Sequence, residues 1–217
     1  PGEPANAPGS TIRFLDVAAG RLGAPIATAE ESSGATWRAP DFEQFATAGD
    51  DGWLRVWDRH DGEMLAELSV AADIADVVYT ADGENIVVGE RSGTLFQVDA
   101  DTLEPSSAQV RLHHPIAGVV ASPDGRSALV LHEGEWIAAV DLAGGSVLYK
   151  RNLGFSAKQA DISPDGRLVA VVCESGEVGV LDRESAMWVR PPELNGDNLV
   201  EVAYAPDGAT FVNQTRT

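Results

Sequence analysis

Four histidines and one cysteine are the residues of this 217-residue chain best suited to bind a metal ion or to act as a nucleophile. The histidines are His60, the pair His113-His114, and His132. None is spaced from another histidine or from the cysteine as metal ligands are. Cys173 closes the apolar run Leu168–Cys173, which predicts a buried thiol in a strand and no disulfide within the chain. We therefore predict no metal site.

Carboxylates are abundant, and two groups of them resemble ligand or acid-base pairs. Asp50-Asp51 and Asp99-Ala-Asp101 offer oxygen ligands for calcium, but the spacing of a dedicated calcium loop is missing. Glu30-Glu31 resembles the carboxylate pair of a glycosidase, yet a chain with 34 acidic residues produces such pairs by composition alone. Aspartates in turns commonly accept hydrogen bonds from backbone amides. We predict this structural role for them.

Serine and glycine motifs also point to turns. Ser122 and Ser163 each precede Pro-Asp-Gly, and no Gly-x-Ser-x-Gly elbow occurs. Gly144-Gly145 is not followed by a helical pattern, so it is no phosphate-binding loop. The sequence therefore predicts no catalytic residue and no cofactor, and we expect that the protein is not an enzyme.

The turn residues recur along the chain at a constant spacing. Apolar strands end in an aspartate at spacings of 42, 41, 42 and 41 residues: Asp16, Asp58, Asp99, Asp141 and Asp182. A second series of turns carries Asp41, Asp82, Asp124, Asp165 and Asp207, the last four followed by Gly83, Gly125, Gly166 and Gly208. A third series is the tight-turn glycine, at Gly52, Gly93, Gly134 and Gly176. Three landmarks with one period identify an internal repeat.

Each repeat contains four short runs of β-branched and aliphatic residues, separated by glycine, proline and aspartate. No segment shows a sustained helical period. Four strands in about 40–45 residues are typical of a propeller blade, an antiparallel sheet that buries both faces only by stacking on its neighbours. The predicted fold class is therefore an all-β propeller.

The segment Asp51–Asp58 resembles the end of a WD40 repeat, and Ser122–Gly125 and Ser163–Gly166 resemble the first hairpin of that repeat. The resemblance extends from about Ser10 to Thr217. Only one repeat keeps the Trp-Asp pair, at Trp57-Asp58, and the Gly-His pair that opens a typical repeat is absent. The other repeats have aliphatic residues at the tryptophan position: Leu15, Val98, Val140 and Leu181. The family's Asp-His-Ser/Thr-Trp network is thus incomplete, and we expect aliphatic packing between blades instead.

The period divides the chain into a linker or loop, residues 1–10, and one propeller domain, residues 11–217. The domain consists of a half blade, four whole blades and a second half blade: 11–32, 33–70, 71–112, 113–153, 154–194 and 195–217. Two architectures fit this division. One is an arc of a larger ring, seven-bladed as is usual in the family that it resembles, and the other is a closed five-bladed ring. We favour the arc, because Thr217 lies within a hairpin.

Charge indicates the kind of partner. The net charge of −19 repels nucleic acid and anionic lipid, and it suits a basic protein or peptide. In the WD40 architecture, the turns between second and third strands share a face with the links between blades. We call eight residues of this face, near His113 and His114, the acidic face and predict that they bind a partner: Asp50, Asp51, Glu90, Arg91, His132, Glu133, Glu174 and Ser175. Trp53 and Trp188 are further candidate contacts, and Trp57 and Trp136 are predicted to pack between blades.

The segments Thr11–Pro25 and Trp188–Pro192 are similar to WD40 regions of actinobacterial multidomain transcriptional regulators. This similarity implies a non-enzymatic scaffold or sensor module, the C-terminal part of a larger cytoplasmic protein with covalently linked upstream domains. One alternative is a propeller enzyme, such as a lactonase or quinoprotein, which would need inward-facing acids, histidines or metal ligands from several blades. The other alternative is a domain that only supports its neighbours.

Overall fold

The computed structural model describes residues 11–13, 15–16, 20–23, 25–27, 32–70, 72–194, 199–208 and 211–215. The regular elements of these ranges are all β-strands. The linker predicted at residues 1–10 lies outside them, as do Glu30 and Glu31. Four short strands come first: β1 (Thr11–Ile12), β2 (Leu15–Asp16), β3 (Arg21–Leu22) and β4 (Ile26–Ala27). β1 pairs with β4 and β2 with β3, both antiparallel.

Four four-stranded antiparallel sheets follow, each built from strands that are consecutive in the chain. Blade 1 consists of β5 (Ser32–Trp37), β6 (Gln44–Gly49), β7 (Trp53–Asp58) and β8 (Met64–Ser69). Blade 2 consists of β9 (Ile74–Tyr79), β10 (Asn85–Glu90), β11 (Thr94–Asp99) and β12 (Val110–Arg111). Blade 3 consists of β13 (Ile116–Ala121), β14 (Ser127–His132), β15 (Trp136–Asp141) and β16 (Ser146–Asn152). Blade 4 consists of β17 (Ala157–Ile162), β18 (Leu168–Cys173), β19 (Glu177–Asp182) and β20 (Trp188–Leu194).

The last described strands, β21 (Leu199–Tyr204) and β22 (Phe211–Thr215), form an antiparallel hairpin. The first strands of successive sheets lie beside one another: β5 contacts β9, β9 contacts β13, β13 contacts β17, and β17 contacts β21. This arrangement of meanders around their innermost strands is a β-propeller. The prediction of an all-β propeller with four whole blades is confirmed. Four whole blades are compatible with both the arc and the closed five-bladed ring.

The turn between the first and second strands has the same geometry in blades 2, 3 and 4. The hydroxyl groups of Thr80, Ser122 and Ser163 donate hydrogen bonds of 2.6, 2.5 and 2.6 Å to the aspartate two residues later. Each hydroxyl oxygen also accepts a bond from the backbone amide five residues later. These bonds lower the pKa of the aspartates, with the hydroxyl as the largest cause: Asp82, Asp124 and Asp165. The Ser-Pro-Asp-Gly motif therefore encodes a closed turn.

The aspartate that ends each third strand caps the next turn. Asp99 Oδ1 accepts bonds from the amides of Asp101 and Thr102, at 3.1 and 2.9 Å. Asp182 Oδ1 accepts bonds from the amide and the hydroxyl of Ser185, at 3.0 and 2.7 Å. Such bonds lower the pKa of both carboxyls. Asp99 and Asp101 thus lie in a capped turn, which is the structural role expected for them.

Aliphatic side chains fill the space between blades. Leu54 and Val56 of blade 1 pack with Ile74, Ile86 and Val88 of blade 2, and all five are buried. Similar clusters fill the interface between blades 2 and 3 and the interface between blades 3 and 4. Burial of this apolar surface is what holds one blade to the next.

Blade 1 differs by containing a buried aromatic pair. Trp57 stacks on Phe45 at a centroid distance of 6.2 Å, and its indole Nε1 donates a 2.9 Å hydrogen bond to Thr47 Oγ1. The sequence resemblance implied a hydrogen bond of this kind between a Ser/Thr hydroxyl and the tryptophan. The other blades have aliphatic pairs at these two positions. The pairs are Val88 and Val98 in blade 2, Val130 and Val140 in blade 3, and Val171 and Leu181 in blade 4. Tryptophan and threonine are therefore lost together, which keeps the interior of the other blades free of an unpaired hydroxyl.

The innermost strands are linked by side chains that accept hydrogen bonds from the backbone of the next blade. Asp76 Oδ2 accepts a 2.9 Å bond from Val119 N, and Asp161 Oδ2 accepts a 2.6 Å bond from Tyr204 N. Thr36 and Gln159 make the equivalent bonds to Tyr79 N and Val202 N, at 3.3 and 2.6 Å. All four bonds span 43 residues, which is about one repeat.

Asp76 gives this inner ladder a pH dependence. Burial raises its pKa from 3.8 to about 6, against the opposing effect of bonds from Val119 N and Val77 N. Because this folded-state value exceeds the unfolded-state value, the folded protein takes up the proton first, and the free energy of unfolding should increase as the pH falls from about 6 to about 4. We expect a gain on the order of 2 kcal/mol, since part of the carboxyl remains solvated.

Urea unfolding at several pH values measures this gain. Asp76→Asn removes the titrating group and should flatten the curve between pH 4 and pH 6. Gln159→Ala removes the bond at the equivalent position of blade 4 without removing an ionisable group and should keep the wild-type slope. An unchanged slope in Asp76→Asn would show that another group titrates.

Candidate interaction surface

The turns between second and third strands pack against the links between blades. In blade 1, Val70 N donates a 2.7 Å bond to Gly52 O, and in blade 2 Leu112 N donates a 2.8 Å bond to Gly93 O. Both glycines have a positive φ, 72° and 89°. A Cβ atom on Gly93 would lie 2.6 Å from His114 O, and one on Gly52 would lie 2.9 Å from Val70 O. Glycine is therefore required for the conformation and for the close approach.

Arg91 connects the turns of three successive blades. Its Nε lies 3.2 Å from Asp50 Oδ1 in blade 1, and its Nη1 lies 3.8 Å from Glu133 Oε1 in blade 3. The side chains of Asp50 and Glu133 remain 58% and 56% exposed. The structure thus brings together three of the predicted residues into one accessible charged surface. Glu174 and Ser175 are also exposed, and the Ser175 hydroxyl donates to the Glu177 carboxylate.

Three predicted members of the acidic face are not accessible, and their prediction as contact residues is wrong. His132 and Glu90 end their strands with buried side chains. Glu90 accepts a 2.6 Å bond from Ser92 Oγ. Asp51 is largely buried by its 2.6 Å ion pair with Arg55, and it also caps Trp53 N at 3.1 Å. These side chains stabilise the turns from within, while Asp50, Arg91, Glu133, Glu174 and Ser175 face the solvent.

A packed aromatic and basic cluster supports Glu133 from below. The ring of His114 stacks on Trp136 at 5.8 Å, and His132 lies 5.6 Å from His114. Lys150 Nζ lies 5.1 Å from the Trp136 ring centre, which is cation–π distance. Burial lowers the pKa of His132, whose Nδ1 lies 3.2 Å from Pro115 O, so the ring is neutral near pH 7. The cluster packs beneath the turn of blade 3.

The tryptophans divide differently from the prediction. Trp57 is buried, as expected of a packing residue. Trp53 is half-buried at the edge of the acidic face, with the Arg55 guanidinium 5.7 Å above its ring. Trp188 is half-buried on the outer strand of blade 4, where it packs on Phe155 at 5.5 Å and covers Gly179. Trp53, which follows the turn that carries Asp50, is therefore placed to join a contact at the acidic face, whereas Trp188 lies on the outer strand of blade 4.

Arg55 was not among the predicted site residues, although its ion pair removes Asp51 from the surface. The signal was present as an aspartate and an arginine on either side of Trp53. In the part of the chain that the structure describes, no three His, Cys, Asp or Glu residues are grouped to hold a metal ion. Burial raises the pKa of Cys173 to about 12. Among the described residues there is no helix with the length and hydropathy of a membrane span.

No protein-family model matches the sequence. Among solved structures, the chain is similar to Kuenenia stuttgartiensis Hydrazine Synthase, with a TM-score of 0.81 and 18% sequence identity. The match covers 94% of this chain and 67% of that chain. At this identity the similarity establishes the fold, which is that of a β-propeller.

Proposed function

We propose that this chain is a non-enzymatic interaction module of WD40 type that binds a basic protein segment through the acidic face. The observation that carries the proposal is the position of Arg91 between Asp50 and Glu133, because it joins the turns of three blades into one accessible surface. A propeller fold hosts many functions, so the proposal depends on this surface and not on the fold.

Charge favours a basic partner. Asp50, Glu133 and Glu174 are exposed acids on a chain of net charge −19. Such a surface accelerates encounter with a cationic segment and disfavours anionic ones. Trp53 is half-buried at the border of the face, with Arg55 over its ring, and adds apolar contact surface there.

The wider assignment rests on the sequence resemblance. We infer that the module belongs to the C-terminal part of a cytoplasmic bacterial transcriptional or signalling regulator, where it acts as a scaffold or sensor. The similarity of Thr11–Pro25 and Trp188–Pro192 to actinobacterial WD40 regions supports this inference. The coding sequence upstream of Pro1 tests it: a DNA-binding domain there is expected, whereas a transmembrane kinase or a secretion signal would contradict it.

Charge reversal tests the binding surface. We expect Asp50→Lys/Glu133→Lys to weaken binding of a labelled dodecapeptide of alternating arginine and serine by about ten-fold or more, because two attractive charges become repulsive. Fluorescence anisotropy at two salt concentrations measures the effect. The matched control, Glu104→Lys/Glu184→Lys, makes the same change in net charge at exposed turns on the other end of the blades. Equal weakening by both variants would mean that net charge alone attracts the peptide, and the proposed face would be wrong.

A further inference from the structure

The fourth strand of each whole blade lies at the end of its sheet, so one edge has no neighbour within that sheet. Unpaired edges attract further strands, and proteins protect them with prolines, short strands or charges. Blade 2 has a fourth strand of only two residues, β12. Blade 4 carries Pro191 and Pro192 within β20, and proline donates no backbone hydrogen bond. β16 of blade 3 has seven residues and no proline, and its charges, Lys150 and Arg151, lie near its end.

The exposed part of β16 is apolar. Val147 and Leu148 are adjacent and solvent-exposed, with Leu148 58% accessible. Leu148 is the extra residue of a bulge, since Val140 pairs with Val147 and Ala139 pairs with Tyr149. Large aliphatic side chains on an open edge favour an added strand, because pairing would remove them from water.

Basic side chains flank this edge without covering it. Lys150 extends toward blade 2, with its Nζ over the Trp136 ring and 3.4 Å from Leu112 O. Arg151 extends toward blade 4, where its Nη1 bonds Ala186 O and approaches Met187 Sδ at 3.1 Å. Residues 142–152 contain both of these cations and no acid, in a chain whose net charge is −19. An acidic segment is therefore attracted here and repelled by most of the remaining surface.

We propose that the β16 edge binds an extended segment of a partner protein, rich in acidic and aliphatic residues, which adds to blade 3 as a fifth strand. Its backbone pairs with β16, its aliphatic side chains contact Val147 and Leu148, and its carboxylates approach Lys150 and Arg151. This site differs from the acidic face in position and binds a partner of the opposite charge.

Blade 1 provides a matched comparison. Leu65 of β8 occupies the position two repeats before Leu148, is 47% exposed, and is also the extra residue of a bulge. However, Glu63 precedes β8 and Glu67 lies within it. The two edges share geometry and apolar exposure but differ in charge, so an acidic segment selects β16.

The test uses the full 217-residue chain and labelled hexapeptides, with binding followed by fluorescence anisotropy. The expected ligand alternates glutamate and valine. A peptide that alternates lysine and valine, and a glutamate–valine peptide with alternate backbone amides methylated, should bind at least about ten-fold more weakly, because the first lacks complementary charge and the second lacks strand donors. Leu148→Asp should lose about the same factor, whereas Leu65→Asp should leave the affinity unchanged.

Several results would overturn the proposal: no binding of the glutamate–valine peptide, equal binding of the methylated peptide, or equal loss in both leucine variants. Light scattering can give a further result of this kind. A dimer that Leu148→Asp dissociates would mean that a second copy of the chain, and not an acidic segment, covers the edge. The methylated peptide keeps the test decisive if Leu148→Asp fails to fold, since it leaves the protein unchanged.

Discussion

Replacing Gly83 with alanine should destabilise the protein by about 4 kcal/mol, since a backbone clash adds to the cost of an unfavourable φ. Gly83 has a φ of 72° in the first turn of blade 2. A Cβ atom there would lie 2.0 Å from Ala39 O and 3.3 Å from Arg38 Cγ, both in the corresponding turn of blade 1. A carbonyl oxygen cannot rotate away as a flexible side chain can, so the two blades must separate at this point.

Gly125 is the matched control, because it occupies the same turn one blade later with a φ of 67°. Its nearest neighbour would be Asp82 Oδ2, at an ordinary contact distance of 3.7 Å. Gly125→Ala should therefore lower the free energy of unfolding by only about 1–2 kcal/mol, which is the cost of a positive φ for alanine. Urea unfolding of both variants measures the difference. Equal losses would mean that the turns of blades 1 and 2 are not in contact in solution.

The repeat made the turns predictable from the sequence. Residue type controls local backbone conformation most directly. The turns at Gly52, at Gly93 and in the Ser-Pro-Asp-Gly segments are local conformations of this kind. The series of aspartates at Asp58, Asp99 and Asp182 is predictable for the same reason, since each accepts bonds from amides two or three residues later. A motif of this kind does not depend on which blade lies beside it.

Side-chain exposure on the acidic face was less predictable. Glu90 and His132 end second strands, and at both positions the pairing with the first strand is shifted by a bulge. The extra residue lies in the first strand and leaves the alternation of the second strand unchanged. The second strands β10 and β14 are buried along nearly their whole length, on both faces, so a polar residue at the end of such a strand is buried as well. The inner bonds of Asp76 and Asp161 join residues 43 positions apart. The sequence contains a signal for these bonds, because Asp76 and Asp161 are polar residues within first strands that are otherwise largely apolar.

The buried aromatic pair of blade 1 leads to the second large effect. Trp57→Val copies the residue found at Val98 and Val140, yet it should cost about 4 kcal/mol, because it leaves a cavity and an unpaired Thr47 hydroxyl. Thr47→Val alone should cost about 1 kcal/mol, mainly for the lost hydrogen bond to the indole. In the double variant the hydroxyl is no longer orphaned, so the loss should be smaller than the sum of the two by about 1 kcal/mol.

Trp53→Val is the control for this cycle, since it makes the same substitution four residues earlier in β7, where the ring is half-buried. We expect a loss of about 1 kcal/mol there, as no buried polar partner is stranded. Chemical denaturation of the four variants measures the coupling. Strict additivity of Thr47→Val and Trp57→Val would contradict the hydrogen bond. We expect positive coupling between the two substitutions. Once the tryptophan is absent, the threonine hydroxyl is a buried group without a partner. This explains why the other blades have valine, or valine with leucine, at the two positions.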